Sequence, residues 1–307
     1  MPKVLIATEK PFASEAVLQI KNVLDEAGYE VAMLEKYTDK SDLLKAVADA
    51  DALIIRSDKV TPEVIEAGKK LKIVIRAGAG YDNVDLAAAS AKNVVVMNTP
   101  GQNSNAVAEL TIGMMLYQAR GQFNGKSGKE IKDKTLGILA YGNVGKIVAR
   151  LGMAFGMKVY AFDPYIPAES IKKDGVDVAG GISELFAASN YISVHIPAND
   201  ETKKSVNFGL LSKMPVEATL VNTARKEVVD EDSLLKMFTE REDFVYISDI
   251  APDCADKIAE KFPGRFYFTP KKMGAQTAEA NVNAGIAAAK QIVAFLKEGD
   301  RTFQVNK

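Results

Sequence analysis

The run Leu136-Gly137-Ile138-Leu139-Ala140-Tyr141-Gly142-Asn143-Val144-Gly145 reads as an apolar strand feeding directly into a helix. A glycine at 142 lets backbone N–H groups approach a pyrophosphate, and one at 145 lets helix and strand pack closely. The helix N-terminus, beginning at Asn143 and Val144, then offers partial positive charge to phosphates. Eighteen residues after Gly145, at the end of the next apolar run, stands Asp163. A carboxylate at about 20 residues bonds the ribose hydroxyls of a bound dinucleotide and repels a 2′-phosphate, which favours NAD over NADP. The pattern departs from G-x-G-x-x-G at its first position, which holds Ala140. The competing reading is a tight turn followed by an acidic strand end. The strand, the helix and the carboxylate in register favour the dinucleotide.

Cations follow several other apolar runs. Arg56 and Lys59 come after 52–55, and Arg225 after 219–222. Arg76 closes 72–76 and precedes Ala77-Gly78-Ala79-Gly80, where successive N–H groups can cradle an anion. A planar guanidinium suits a carboxylate bound through two oxygens. Each cation taken alone also fits a solvated surface charge. His195 is the only imidazole and Cys254 the only thiol, which excludes a zinc site of Cys and His ligands and an intrachain disulfide. No metal is expected, and the cysteine usage points to the cytoplasm.

Positioning these groups requires many short strands. Nearly all-apolar, β-branched runs at 4–8, 31–34, 52–55, 72–76 and 94–97 alternate with helical patterns, among them one from an N-cap at Ser14 to a C′ glycine at Gly28. A long amphipathic segment at 104–119 and a polar loop at 120–134 follow. The alternation then restarts at 136–140, 158–162, 191–196, 219–222 and 244–248. Two such series predict an α/β chain of two doubly wound parallel-sheet domains, with a turn cluster near Asn98-Thr99-Pro100-Gly101 between them. Periodicity leaves open which domain owns the Ala-rich helix near 277–296. A chain of 307 residues suits two domains, and 39 basic against 40 acidic residues argue against nucleic-acid or anionic-membrane binding. No apolar run reaches the roughly 18 residues needed for a membrane span.

Several motifs together resemble the D-isomer-specific 2-hydroxyacid dehydrogenases, and within them the enzymes acting on D-3-phosphoglycerate. Arg56-Ser57-Asp58-Lys59 resembles R-S-x-x-K, and the stretch from Arg76 to Asp85 resembles R-A-G-x-G-x-D-N-x-D. Asn98-Thr99-Pro100, Asn103-Ser104, Ala108-Glu109-Leu110, His195-Ile196-Pro197, Asn222-Thr223-Ala224-Arg225 and Ser248-Asp249 follow in the family's order. The resemblance implies a flavodoxin-like substrate domain from 1–98 and 282–307 around a Rossmann-like NAD domain at 99–281. It implies NAD-dependent oxidation of 3-phosphoglycerate to 3-phosphohydroxypyruvate, the first step of phosphorylated serine synthesis, by a short form without regulatory modules, as a homodimer. The apolar segment 106–117 is a candidate interface helix or ordinary core.

The same resemblance assigns roles. Arg225 holds the substrate carboxylate. Arg56, Lys59, Arg76, Ala77, Gly78 and Asn103 bind the rest of the substrate. Asp249 bonds the nicotinamide amide, and Pro164, His195, Ile196, Pro197, Thr202, Thr223, Ala224, Gly274 and Ala275 line the cofactor. His195 falls on the family's H-x-P and is not the proton carrier. That group belongs to a T-P-H-x-G-A motif, which here reads Thr269-Pro270-Lys271-Lys272-Met273-Gly274-Ala275, one residue longer. Counting back from the glycine makes Lys272 the proton-transfer group, whereas counting forward from the proline makes it Lys271; Lys272 is preferred, because the glycine and the helix after it fix the approach to the cofactor.

The family's glutamate position holds Cys254. The two departures are consistent, because a carboxylate raises the pKa of a cationic partner, which imidazole tolerates and lysine does not. The loop before Lys134 lacks the Trp-Arg pair that similar enzymes extend to a neighbouring subunit, so substrate contacts across a dimer are not expected. The alternatives are another D-2-hydroxyacid dehydrogenase, of the glyoxylate or hydroxypyruvate type, or a non-catalytic NAD-sensing protein on the same fold.

Overall fold

A computed structural model describes residues 1–306. Packing divides the chain into two units, Met1–Asn103 with the segment from Thr277 onward, and Ser104–Gln276. The first contains β1 (Lys3–Thr8), β2 (Glu30–Glu35), β3 (Ala52–Ile55), β4 (Ile73–Arg76) and β5 (Val95–Asn98), in the order β2-β1-β3-β4-β5. All pairs are parallel. This is the flavodoxin-like order, with its switch point between β1 and β3.

Alternate residues of these strands feed two cores, as the two-residue period of a strand requires. Val4, Ile6, Ile54, Ile73 and Ile75 pack on one face, with Ile20, Leu24, Ala284, Ala288 and Ile292 from the helices Ser14–Glu26 and Ala278–Glu298. Leu5, Ala7, Leu53, Ile55, Val74 and Val96 face the other side. The Ala-rich final helix therefore belongs to the first unit. Its small residues admit a close approach: a Cβ on Gly285 would stand 2.5 Å from Ile20 Cδ1. Ser14 is the first helical residue rather than the cap, and Ala13 in the cap position makes no side-chain bond. Gly28 ends that helix at φ +79, with its N–H on Asp25 O and that of Tyr29 on Leu24 O, a Schellman closure.

The second unit contains β6 (Thr135–Leu139), β7 (Lys158–Phe162), β8 (Asp177–Val178), β9 (Tyr191–Val194), β10 (Thr219–Asn222), β11 (Val245–Ser248) and β12 (Phe266–Phe268). Their order is β12-β11-β10-β9-β6-β7-β8, again all parallel, with the switch between β6 and β9. Strands β8 and β12 were not expected; at two and three residues they are too short for a periodicity signal. The helix Ser104–Ala119 buries one broad face and exposes a stripe at Asn105, Glu109 and Gly113, and Ala108, Ile112, Met114 and Met115 fill the unit's own core. Among the described residues no helix is long and apolar enough to cross a membrane.

The turn after β6 is strained at one position. Ala140 adopts φ +75, the left-handed region, while its N–H donates to Phe162 O at 3.0 Å. Helix and strand meet so closely here that a Cβ on Gly145 would stand 2.2 Å from Ala140 O. A left-handed L-residue costs roughly 1–2 kcal/mol, which glycine avoids. Ala140→Gly is therefore expected to stabilise the protein by about 1 kcal/mol and raise its melting temperature by about 2–4 °C. A thermal scan showing an unchanged or lower midpoint would contradict the strained turn.

Candidate active site

In a parallel sheet every strand ends on the same edge, and ligands bind beyond the carboxyl ends at the switch point. At the end of β6, Gly142 caps the helix Asn143–Ala154, and no atom lies within 4 Å of where its Cβ would be. The exposed turn thus leaves room for a phosphate against the first helical N–H groups. Asp163, after β7, accepts from Tyr141 N–H through Oδ2 and from Tyr165 N–H through Oδ1, each at 2.8 Å. These bonds fix the carboxylate against the glycine turn, with Pro164 beside it. Tyr141 itself is buried and donates its hydroxyl to Asp174 at 3.0 Å.

After β9, the His195 N–H donates to Leu139 O at 2.9 Å, and its ring Nε2 lies 2.9 Å from Ser193 Oγ. Desolvation pushes its pKa down to about 3, so the imidazole is neutral. Ile196 and Pro197 continue the loop, closed by Thr202 Oγ1 donating to Pro197 O at 2.6 Å.

The loops after β10 and β12 bring two cations together. Thr223 Oγ1 meets Thr111 Oγ1 at 3.1 Å in the interior. Arg225 Nη1 donates to Ala224 O at 3.0 Å, and Lys272 Nζ donates to the same oxygen at 2.8 Å. Two cations from separate loops therefore meet at one carbonyl. Lys271 contributes its carbonyl to Thr269 Oγ1, and its side chain is exposed. Lys272, the lysine preferred from sequence, is also exposed, and it shares the Ala224 carbonyl with Arg225.

Asp249, just past β11, is fully buried. Its Oδ2 accepts from Gly274 N–H at 2.8 Å, and Oδ1 has no partner. Burial raises its pKa, opposed by the Gly274 N–H and the charges of Lys272 and Arg225. A Cβ on Gly274 would stand 2.9 Å from Oδ2, so this close approach, continued by Ala275, requires glycine. A buried acceptor with an unused lone pair fits an amide N–H donor, as a nicotinamide carboxamide supplies. With the open turn at Gly142 and the fixed Asp163, the unit meets the chemical demands of NAD.

Cys254 is buried at the start of the helix Ala255–Lys261. Desolvation and the Glu231 carboxylate push its thiol up to about 12, so it is neutral. Glu231, not singled out from sequence, accepts from the N–H groups of Asp253 and Cys254 at 2.7 and 2.8 Å. Among the described residues no cluster of three His, Cys, Asp or Glu could hold a metal.

In the first unit the cation loops are held by a buried carboxylate that the sequence reading took for a variable motif position. Asp58 is 1% exposed and accepts from Glu9 N–H, the Tyr37 hydroxyl and Arg56 N–H. Asn83 donates to the carbonyls of Arg56 and Asp58. Arg56 directs its guanidinium to Lys10 O, Pro11 O and Asn281 Oδ1 and lies over the Phe12 ring. Lys59 is exposed, on a loop one residue shorter than R-S-x-x-K. Arg76 Nε donates to Arg56 O at 3.0 Å, and its guanidinium occupies the space a Cβ on Gly78 would need. The loop at Ala77–Gly80 is tied down by Asn98 Nδ2 on Ala79 O and Thr99 N–H on Gly78 O. Asn103 is partly buried just before the helix Ser104–Ala119.

Residues 6–306 match the family described as D-isomer specific 2-hydroxyacid dehydrogenase, catalytic domain. A hydroxypyruvate reductase of Thermotoga maritima is 36% identical over 282 residues, 86% of this chain and 90% of that protein. A D-3-phosphoglycerate dehydrogenase of Methanocaldococcus jannaschii is 34% identical over 311 residues, 97% of this chain but 58% of that protein. The chain thus spans little more than half of that relative. The solved structure of an NAD+-bound 3-phosphoglycerate dehydrogenase from Entamoeba histolytica is 48% identical, with a TM-score of 0.90, covering 100% of this chain and 99% of that one. On these matches the chain belongs to the D-isomer-specific 2-hydroxyacid dehydrogenase family.

Proposed function

We propose that the chain oxidises D-3-phosphoglycerate to 3-phosphohydroxypyruvate with NAD, with Arg225 holding the substrate carboxylate and Lys272 transferring the proton. The observation that carries this reading is the meeting of Lys272 Nζ and Arg225 Nη1 at the Ala224 carbonyl, on the sheet edge where Asp249 keeps an unused buried acceptor. The similarity to the Entamoeba and Methanocaldococcus proteins supports the substrate and the cofactor.

NAD, when bound, accepts the hydride leaving the carbinol carbon. Gly142, Asn143, Val144 and Gly145 bind its pyrophosphate, Asp163 its ribose and Asp249 its carboxamide. Pro164, His195, Ile196, Pro197, Thr202, Thr223, Ala224, Gly274 and Ala275 form the surrounding wall. Arg225 engages the substrate carboxylate through two parallel N–H bonds and so orients the adjacent carbon. Lys272, as the free amine, takes the hydroxyl proton, and the O–H electron pair becomes part of the new carbonyl. In the reverse direction its ammonium returns that proton. A neutral thiol at 254 sets no carboxylate where the family's glutamate would favour a cationic partner. Lys59 and Arg76, with the Ala77–Gly78 loop and Asn103, bind the phosphoryl end, and Arg56 acts with them.

A second reading, a reductase of unphosphorylated hydroxy-keto acids, is favoured by one observation: the Thermotoga hydroxypyruvate reductase matches across 90% of its length.

Lys272→Ala is expected to lower kcat about 100-fold or more, the typical contribution of a positioned acid–base group, while NADH still binds. Wild-type kcat in that variant would refute the assignment. The oxidation rate should also climb from neutral toward alkaline pH, because the amine must be unprotonated to act; a flat profile up to about pH 9 would argue against a lysine base. Comparing acids, kcat/KM for 3-phosphoglycerate should exceed that for glycerate by about 100-fold, since charge-assisted bonds contribute roughly 1.5–3 kcal/mol each. Equal turnover would move the assignment to the second reading. NADH formation from neither acid would point to a binding protein.

A further inference from the structure

The geometry points to Asn222 as the residue that positions Arg225 and Lys272 relative to each other, an inference that rests on the roles proposed above for those two cations. Asn222 ends β10 and is fully buried. Its side-chain amide works in both directions. Oδ1 accepts from Ala224 N–H at 3.0 Å, and Nδ2 donates to Arg225 O at 2.9 Å. These two groups belong to the peptide units immediately before and after the one that carries the Ala224 carbonyl. That carbonyl is therefore clamped from both sides, and it is the oxygen on which Lys272 Nζ and Arg225 Nη1 converge.

Three further bonds fix the clamp itself. Asn222 Nδ2 reaches the Tyr246 hydroxyl on β11 at 3.3 Å. The main-chain carbonyl of Asn222 accepts from Ser248 Oγ at 2.8 Å and from Asp249 N–H at 3.2 Å. One residue thus links the loop bearing Arg225 to the strand that leads to the buried acceptor of Asp249. The task needs an acceptor and a donor on one short planar group. Ionised aspartate lacks the donor, a serine hydroxyl reaches only the nearer N–H, and alanine supplies neither. Asn222 touches no reacting atom in this scheme. It acts through the two cations, and a 1 Å misplacement of such groups costs about 100-fold in rate.

The test compares Asn222→Ala and Asn222→Ser with the parent by steady-state kinetics on 3-phosphoglycerate, by thermal unfolding, and by NADH affinity read from NADH fluorescence, in a chain that contains no tryptophan. The alanine variant is expected to lose about 10- to 100-fold in kcat. The serine variant should lose less, because its hydroxyl can keep the bond from Ala224 N–H. NADH affinity should fall less than kcat does, because Gly142 and Asp163 hold the phosphates and ribose from other loops, although Asn222 also holds the Ala224 N–H beside the cofactor. Wild-type kcat in a folded alanine variant would overturn the inference, as would a parallel loss of NADH affinity and kcat, the mark of general loosening. If the alanine variant does not fold, wild-type kcat in the serine variant overturns it equally. Should Lys272→Ala retain full activity, the functional reading itself falls. Should Lys272→Ala fail while both Asn222 variants turn over normally, only the positioning role falls.

Discussion

Parallel pairing is the constraint on which the rest depends. Because every strand of each sheet runs the same way, every outgoing loop leaves from one edge, and residues far apart in sequence come to share it. Arg225 follows β10, Asp249 follows β11 and Lys272 follows β12; the ladders between these strands, Asn222 against Ser248 and Ser248 against Phe268, set where their loops begin. Strand length matters little to this arrangement. Three-residue β12 suffices, because its register decides which residues its loop delivers.

The electrostatics of this edge centre on a buried carboxylate. Asp249 is buried with one oxygen unsatisfied, a state that costs roughly 1–3 kcal/mol or more for a charged group unless a donor arrives. Burial alone would favour its neutral form, and the nearby charges of Lys272 and Arg225 act against that. His195 shows the opposite outcome: desolvation holds its ring neutral, so the only imidazole in the chain does not carry charge. Cys254 is likewise neutral, a thiol beside a carboxylate already engaged by backbone N–H groups.

Much of the fold was legible in the sequence, because near-continuous β-branched runs such as 52–55 and 219–222 announce strands covered on both faces. The glycine turn and Asp163 were legible for the same reason, since local spacing encodes them. What escaped was non-local. Periodicity could not allot the final helix, which only the family resemblance placed with the first domain; the packing that holds it there, Gly285 against Ile20, spans most of the chain. Asp58 reads as an ordinary loop charge between cations, yet it is the buried acceptor for three donors. Counting along a motif with an extra residue could prefer Lys272 over Lys271 but could not show its neighbour, the Ala224 carbonyl, which lies in the loop after a different strand. Asn222 was visible as part of a motif, but its clamp on two peptide groups is a matter of geometry that composition does not express.

The return of the helix Ala278–Glu298 to the first unit has a consequence for synthesis. On a ribosome, the segment Ser104–Gln276 emerges whole and can close its own core as it appears. The earlier-made portion cannot. Ile20 and Leu24 stay exposed to water until Ala284, Ala288 and Ile292 have been translated, so the portion made first is the last to mature.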